Sequence, residues 1–294
     1  MLKPIKQLLQ EKLKKKIPKE ELSLLPSSYQ KIGNIVIINL KEKLWKYDKK
    51  IGMIILENIP DTNTVCRRKD FITTSFRKPS LVVIAGEKNT ETIHKEHGII
   101  YKLDVNEIMF AKGNLNERNR IAKLVKKNEI VVDMFAGIGY FSLSIAKTSK
   151  PKKVYSIEIN PIAYNYLKEN IKLNKVEEKV VPIIGDCVIE LPKLGRIADR
   201  VIMGLLPSCK EYLIDAMKVI KPNGIIHYHG TAKNCKELLE DVKTAADING
   251  FKVELIEKIK VKSYAPKVYH WVLDCRIFNV PFNERSEYKR NVFL

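Results

Sequence analysis

Three carboxylates stand just after apolar runs in this chain: Asp133 closes "IVVD", Glu158 closes "VYSIE" and Asp186 closes "VVPIIGD". Such runs read as buried strands, which puts the three acids at successive strand ends. The first is followed by "MFAGIGYFSL", where Gly137 and Gly139 permit a tight turn and a close approach of backbone to ligand beneath a helix N-terminus. A carboxylate at the second strand end accepts hydrogen bonds from both ribose hydroxyls of a nucleoside. One at the third, Asp186, meets an adenine edge together with the backbone around Cys187. The chemistry implied is nucleoside binding. The rival reading, that each acid only caps a helix, fits one of them more readily than all three.

The elements that must position these residues alternate. A helical pattern over Asn114 to Lys127 precedes "IVVDMF"; helices and the strands "KVYSIEI", "VVPIIGD", "ADRVIMGL" and "GIIHYHGT" then follow one another. That alternation predicts a parallel sheet covered by helices on both faces. The end differs: "FKVELIEKIKVKSYA" and "VYHWVLDCRIF" lie back to back around Pro266 with no helix between them, which predicts a closing antiparallel hairpin. The turn also lacks the third glycine of a dinucleotide fingerprint, reading Gly137-Ile138-Gly139-Tyr140-Phe141-Ser142. With the acid at the third strand and the closing hairpin, this favours S-adenosylmethionine over a nicotinamide cofactor. The fold class expected is α/β, a Rossmann-like sheet of the class I S-adenosylmethionine-dependent methyltransferase type, with a smaller α+β N-terminal domain.

The expected divisions are a basic amphipathic extension over 1–26, an α+β domain over 27–105, a cofactor-binding domain over 106–279 and a basic tail over 280–294. In the extension Leu2, Ile5, Leu8, Leu9, Leu13 and Ile17 recur at helical spacing, Pro4 suits the first turn and Pro18 ends it; Lys12, Lys14, Lys15 and Lys16 charge its end. An RNA-touching helix and a solvated arm both fit this pattern. In the α+β domain "IVII", "TVCRRKDF" and "LVVIAG" read as strands, "ETIHKEHGIIYKLDV" as a hairpin, and Arg67, Arg68, Lys69, Arg77 and Lys78 make it basic.

The 294 residues carry 53 Lys plus Arg against 34 Asp plus Glu, a net charge of +19. An excess this large points to a polyanionic partner, because each neutralised phosphate releases condensed counterions. No apolar run approaches the ~18 residues of a membrane span, and the N-terminus lacks the apolar core and cleavage site of a secretory leader, so cytoplasmic residence is expected. The five scattered cysteines form no CxxC pair and no disulfide framework. His227, His229 and Cys235 lack a second ligand pair at zinc spacing, so no metal is expected.

The motifs "IMFAKGNLNERNRIAKL", "DMFAGIGYFSL", "EINPIAYNYLKENIKLNKVE", "DRVIMGLLPS", "IIHYHGT" and "SYAPKVYHWVLDCRIF" are similar to those of the archaeal wybutosine-biosynthesis aminocarboxypropyltransferases. The resemblance runs from about Ser27 to Phe278. That family adds a 3-amino-3-carboxypropyl group to carbon 7 of 4-demethylwyosine at position 37 of phenylalanine tRNA, and is related to the tRNA guanine-37 N1-methyltransferases. The methyltransferases carry Asn-Leu-Pro where this chain has Gly204-Leu205-Leu206-Pro207; the aminocarboxypropyltransferases similarly have Gly. The expectation is that the bare Gly204 opens volume in the acceptor pocket for the tricyclic base or a re-aimed cofactor arm.

The resemblance implies further roles. Glu158 binds the ribose, Asp186 and Cys187 the adenine, the segment from Asp133 through Gly137 to Gly139 lines the cofactor, and Arg118 contacts it; a surface arginine is the plainer reading of Arg118. Relatives have Phe-Ser-Pro where this chain has Phe110-Ala111-Lys112, which removes a serine contact. The partner implied is the anticodon-loop region of phenylalanine tRNA. No covalent nucleophile stands out. His229, Tyr228 and solvent stay open as the base that removes the acceptor proton, and Tyr264, Tyr269 and Trp271 as stacking aromatics. Two rival functions stay open as well: methyl transfer to guanine 37, and RNA binding by a non-catalytic protein that retains cofactor affinity.

Overall fold

The computed structural model describes residues 3–69, 78–110 and 112–279. Arg77, Ala111 and the tail 280–294 lie outside them, as does the Lys112 side chain. The chain forms two compact units, 1–111 and 112–294.

In the first unit, α1 (Ile5–Leu13) and α2 (Lys19–Leu22) precede β1 (Tyr29–Ile32) and β2 (Ile35–Ile38), then α3 (Asp48–Asn58), β3 (Thr64–Arg68), β4 (Leu81–Gly86) and the hairpin β5 (Glu91–Glu96) and β6 (Ile99–Asp104). The strands β1 to β4 form one sheet in chain order, with only β2 and β3 parallel. Its core joins Val36, Ile38, Leu44, Ile51, Ile55 and Val65 to Ile5, Leu9, Leu13 and Ile17. The first helix is therefore no solvated arm. Its apolar stripe completes the core, while Lys12, Lys14, Lys15 and Lys16 stay exposed. The basic residues also divide: Arg67 is buried, its guanidinium 4.0 Å over the Trp45 ring and 3.3 Å from Asp48, whereas Lys69 is exposed.

The second unit runs α4 (Leu115–Leu124), β7 (Ile130–Asp133), α5 (Ser142–Thr148), β8 (Lys153–Glu158), α6 (Pro161–Asn174), β9 (Val180–Ile184), α7 (Cys187–Leu194), β10 (Ala198–Met203), α8 (Leu213–Val219), β11 (Ile220–Ala232), α9 (Cys235–Ile248), β12 (Phe251–Ala265) and β13 (Val268–Asn279). The seven strands are ordered β12-β13-β11-β10-β7-β8-β9. Strands β7 to β11 are parallel and β13 runs antiparallel between β11 and β12, as the missing helix predicts.

Alternation along the strands sorts side chains to two faces. Val132, Val201, Met203, Tyr228, Leu273 and Cys275 join α7, α8 and α9 in an apolar core. Asp133, Arg200, His227, His229, His270 and Asp274, all buried, take the other face, with α4 and α5. Strand order reverses at β7, and in open α/β sheets a ligand sits beyond the strand ends at that reversal.

Leu9 is fully buried. Leu9→Ala is expected to cost about 2–5 kcal/mol, read as an earlier urea unfolding transition; an unshifted transition would return α1 to the status of a solvated arm.

Candidate active site

The turn after β7 is held by its own glycines. Gly137 and Gly139 have φ of +57° and +99°, and a Cβ on either would lie 2.8 Å from the Tyr140 ring or 2.6 Å from Leu143. This lets the Gly137 N–H donate to Glu158 Oε2 at 2.7 Å, while the Asn160 N–H donates to Oε1 at 2.7 Å. Burial raises the Glu158 pKa, and the N–H groups of Asn160, Gly137 and Ile159 counter it. Both oxygens keep a second lone pair, and the side chain is partly exposed at the strand ends. Asp186 caps α7 by accepting from the Val188 N–H at 2.9 Å, so the capping role holds for this acid. Cys187 is buried, and burial pushes its thiol up to about 12; it is no nucleophile. Around these two carboxylates the aliphatic side chains of Ile159, Ile184 and Val188 are exposed. Carboxylates with free lone pairs beside uncovered aliphatic surface fit a nucleoside, with ribose on the acids and a base on the apolar seat.

Asp133 differs from both. It is fully buried, with Oδ2 accepting from Ser142 Oγ at 2.7 Å, and Ser142 Oγ accepting in turn from Ser156 Oγ at 2.7 Å. The Phe135 and Ser142 N–H groups lower its pKa, but Oδ1 has no hydrogen-bond partner among the described residues. Burial outweighs them and pushes the acid up to about 6. An unanswered acceptor beside a glycine turn fits a cationic group such as the donor's α-ammonium.

Arg118 is not a surface residue. It is 2% exposed, and its guanidinium lies 4.6 Å over the ring of Tyr140 in the glycine turn. The helix α4 that carries it is fixed by a circuit that motif reading missed. Arg120 donates to Asp274 through both terminal nitrogens, at 2.6 and 3.0 Å. Asp274 Oδ1 lies 2.6 Å from His227 Nδ1, and His227 Nε2 lies 2.8 Å from Arg200 Nη1. Arg200 Nη2 donates to the carbonyl of Leu124, the last residue of α4, at 3.0 Å. Arginine only donates, so Nε2 carries the lone pair, Nδ1 carries the hydrogen, and His227 is neutral. Burial lowers its pKa against the opposing effect of Asp274. Burial alone would raise the Asp274 carboxyl; the bonds from His227 and Arg120 hold it well below its usual range. The available signal was an Asp inside the apolar run "WVLDCRIF".

Gly204 follows β10, and the structure corrects the expectation of open volume there. A Cβ at 204 would lie 2.9 Å from Phe141 Cε2, so the ring already fills that space. The ring is buried and packs edge-on against His229 at 5.3 Å between centroids. His229 Nδ1 meets His270 Nε2 at 3.1 Å, and His229 Nε2 has no partner among the described residues. Burial, with His270 and His227 close by, keeps the His229 pKa well below its ordinary value. Tyr228 points into the opposite core, where burial raises its hydroxyl pKa, so it is no base for this edge. Of the aromatics, Trp271 donates from Nε1 to the Ala232 carbonyl at 3.3 Å, and the Tyr269 ring is covered by Lys260. No cluster of three or more metal-ligating side chains is found among the described residues.

Residues 92–256 match the family model described as the TRM5/TYW2 methyltransferase domain, and residues 9–90 the TYW2 N-terminal domain. The chain belongs to the TRM5/TYW2 family. It is 44% identical over 251 residues to the tRNA(Phe) (4-demethylwyosine(37)-C(7)) aminocarboxypropyltransferase of Methanocaldococcus jannaschii, covering 84% of this chain and 97% of that one. It is 41% identical over 265 residues to the tRNA (guanine(37)-N(1))-methyltransferase Trm5b of Pyrococcus abyssi, covering 89% of this chain and 78% of that one. Among solved structures, Pyrococcus horikoshii TYW2 in complex with MeSAdo superposes with a TM-score of 0.81 at 38% identity, covering 94% of this chain and all of the other. The TRM5/TYW2 fold thus agrees with the expected methyltransferase-like sheet.

The geometry sets two expectations. The Asp133 pKa is raised by folding, so the native state binds the extra proton between the unfolded value and about 6, and stability falls as pH rises through that window. Asp133→Asn should be more stable than the parent at pH 7 by on the order of 1–3 kcal/mol, the difference vanishing toward pH 4 in urea titrations; equal stability at pH 7 would contradict the buried charge. Gly204→Asn drives its side chain into the Phe141 ring and should cost about 1–3 kcal/mol. Phe141→Ala in the same chain should recover part of that loss, and no recovery would mean the ring is not the obstacle.

Proposed function

We propose that this chain transfers the 3-amino-3-carboxypropyl group of S-adenosylmethionine to carbon 7 of 4-demethylwyosine at position 37 of phenylalanine tRNA. The observation that carries this reading is the bare Gly204 after β10. Where the methyltransferases it resembles carry Asn, this chain offers a backbone position with the Phe141 ring behind it. The match of residues 9–90 to the TYW2 N-terminal domain and the 44% identity to an aminocarboxypropyltransferase support the same choice. No helix among the described residues is long and apolar enough to cross a membrane.

The donor substrate supplies a sulfonium with three electrophilic carbons, and loss of the aminocarboxypropyl arm leaves 5′-methylthioadenosine. The residues do the rest by orientation, where a misplacement of about 1 Å costs roughly a hundredfold. Glu158 takes the ribose hydroxyls, and Asp186 with the backbone at Cys187 takes the adenine, seated on Ile159 and Val188. Asp133 holds the α-ammonium of the arm and Arg118 its carboxylate through charge-assisted bonds. Gripping both ends of the amino acid fixes which carbon faces the acceptor. The acceptor carbon must then lose a proton; neutral His229, whose Nε2 has no partner among the described residues, is the candidate base beside Phe141, and solvent is the alternative. Exposed Lys12, Lys14, Lys15, Lys16 and Lys69 of the N-terminal unit contact tRNA phosphates near the anticodon loop.

Incubation with labelled donor and precursor tRNA decides the reading. The expected by-product is 5′-methylthioadenosine; S-adenosylhomocysteine alone would establish methyl transfer instead.

A further inference from the structure

We infer that His227 is a positioning residue for the transfer reaction: with Asp274, Arg120 and Arg200 it sets the place of Arg118 at the donor site. The inference rests on the proposed contact of Arg118 with the donor. His227 itself is fully buried on the middle of β11, and its ring nitrogens meet Asp274 and Arg200.

The circuit is closed. It leaves α4 at Arg120, crosses to β13 at Asp274, to β11 at His227 and to β10 at Arg200, and returns to α4 at the Leu124 carbonyl. Two points on one helix, a turn apart, are thereby tied to three adjacent strands. Each end has a second brace: Arg120 Nε to Glu117 at 3.0 and 3.1 Å, and Arg200 Nε to Glu129 at 3.0 Å. Two anchors fix both the translation and the axial rotation of a ten-residue helix, where one would leave rotation free. Arg118 lies two residues before Arg120, so any rotation of α4 swings its guanidinium off the Tyr140 ring.

His227 is the link between the Arg120–Asp274 pair and Arg200. His227 donates at Nδ1 and accepts at Nε2, a combination available to imidazole in its neutral form alone. A side chain that packs as well but lacks either function opens the circuit between its two cationic halves. A purely structural network would affect folding but would not interact with Arg118 in donor binding. A positioning network does so, because misplacing Arg118 and deleting it remove the same contact.

The test is a double-mutant cycle on donor affinity, measured by titration calorimetry, with tRNA affinity followed in parallel. Arg118→Ala should weaken donor binding at least about tenfold in the parent but less than about twofold in the His227→Phe background, with tRNA affinity unchanged. His227→Asn, whose amide N–H keeps the Asp274 arm, should fall between. If His227→Phe fails to fold, the same cycle is run with His227→Asn. Equal factors for Arg118→Ala in both backgrounds would overturn the inference while leaving the Arg118 contact standing. Unchanged donor affinity in Arg118→Ala alone would overturn both.

Discussion

A charge taken out of water must be answered by a partner, and that constraint shapes one face of the second unit. Arg120, Asp274 and Arg200 are drawn from three parts of the chain; Arg120 answers Asp274 directly, and a neutral imidazole links that pair to Arg200. Removing one member of such a set leaves an uncompensated buried charge, which costs about 3–5 kcal/mol. The same face leaves exceptions. Asp133 is as buried as the others, yet one of its oxygens has no hydrogen-bond partner among the described residues, at the reversal point of the sheet. Binding sites arise where a fold leaves such a debt beside an opening.

From that edge outward the architecture divides the labour. The three acids stand at successive strand ends, while the glycine turn, with Gly137 and Gly139 at positive φ, brings its N–H to Glu158. Arg118 reaches the same turn from α4. On the neighbouring strand ends, Gly204, Phe141 and His229 pack as a set: the ring occupies the place of a side chain at 204 and lies edge-on to the imidazole. Selection among the carbons of a sulfonium is a problem of aim, and in the proposed reaction these residues would set it.

Much of this was legible in the sequence because it is local. Apolar runs ending in Asp133, Glu158 and Asp186 reveal strand ends, and the absent helix around Pro266 reveals the antiparallel strand. Longer-range facts were not legible. Arg120 and Asp274 lie 154 positions apart and His227 and Asp274 lie 47 apart, so no spacing rule joins them. The lysines in and after α1 left a solvated arm and an RNA-touching helix both open, but exposed lysines say nothing about the opposite stripe, which is core. Arg67, counted as surface charge, is stacked over Trp45. Gly204 was recognised as unusual and its neighbour was not, because packing of Phe141 against it is a property of three dimensions.

The proposal stands or falls on which substituent of the donor is presented to the RNA. A structure of the chain with S-adenosylmethionine and precursor tRNA measures this directly. The account predicts the first methylene carbon of the amino-acid arm at about 3–3.5 Å from carbon 7 of the base, with the arm's ammonium on Asp133 and its carboxylate on Arg118. A methyl group in that position, with the arm turned away, would contradict it.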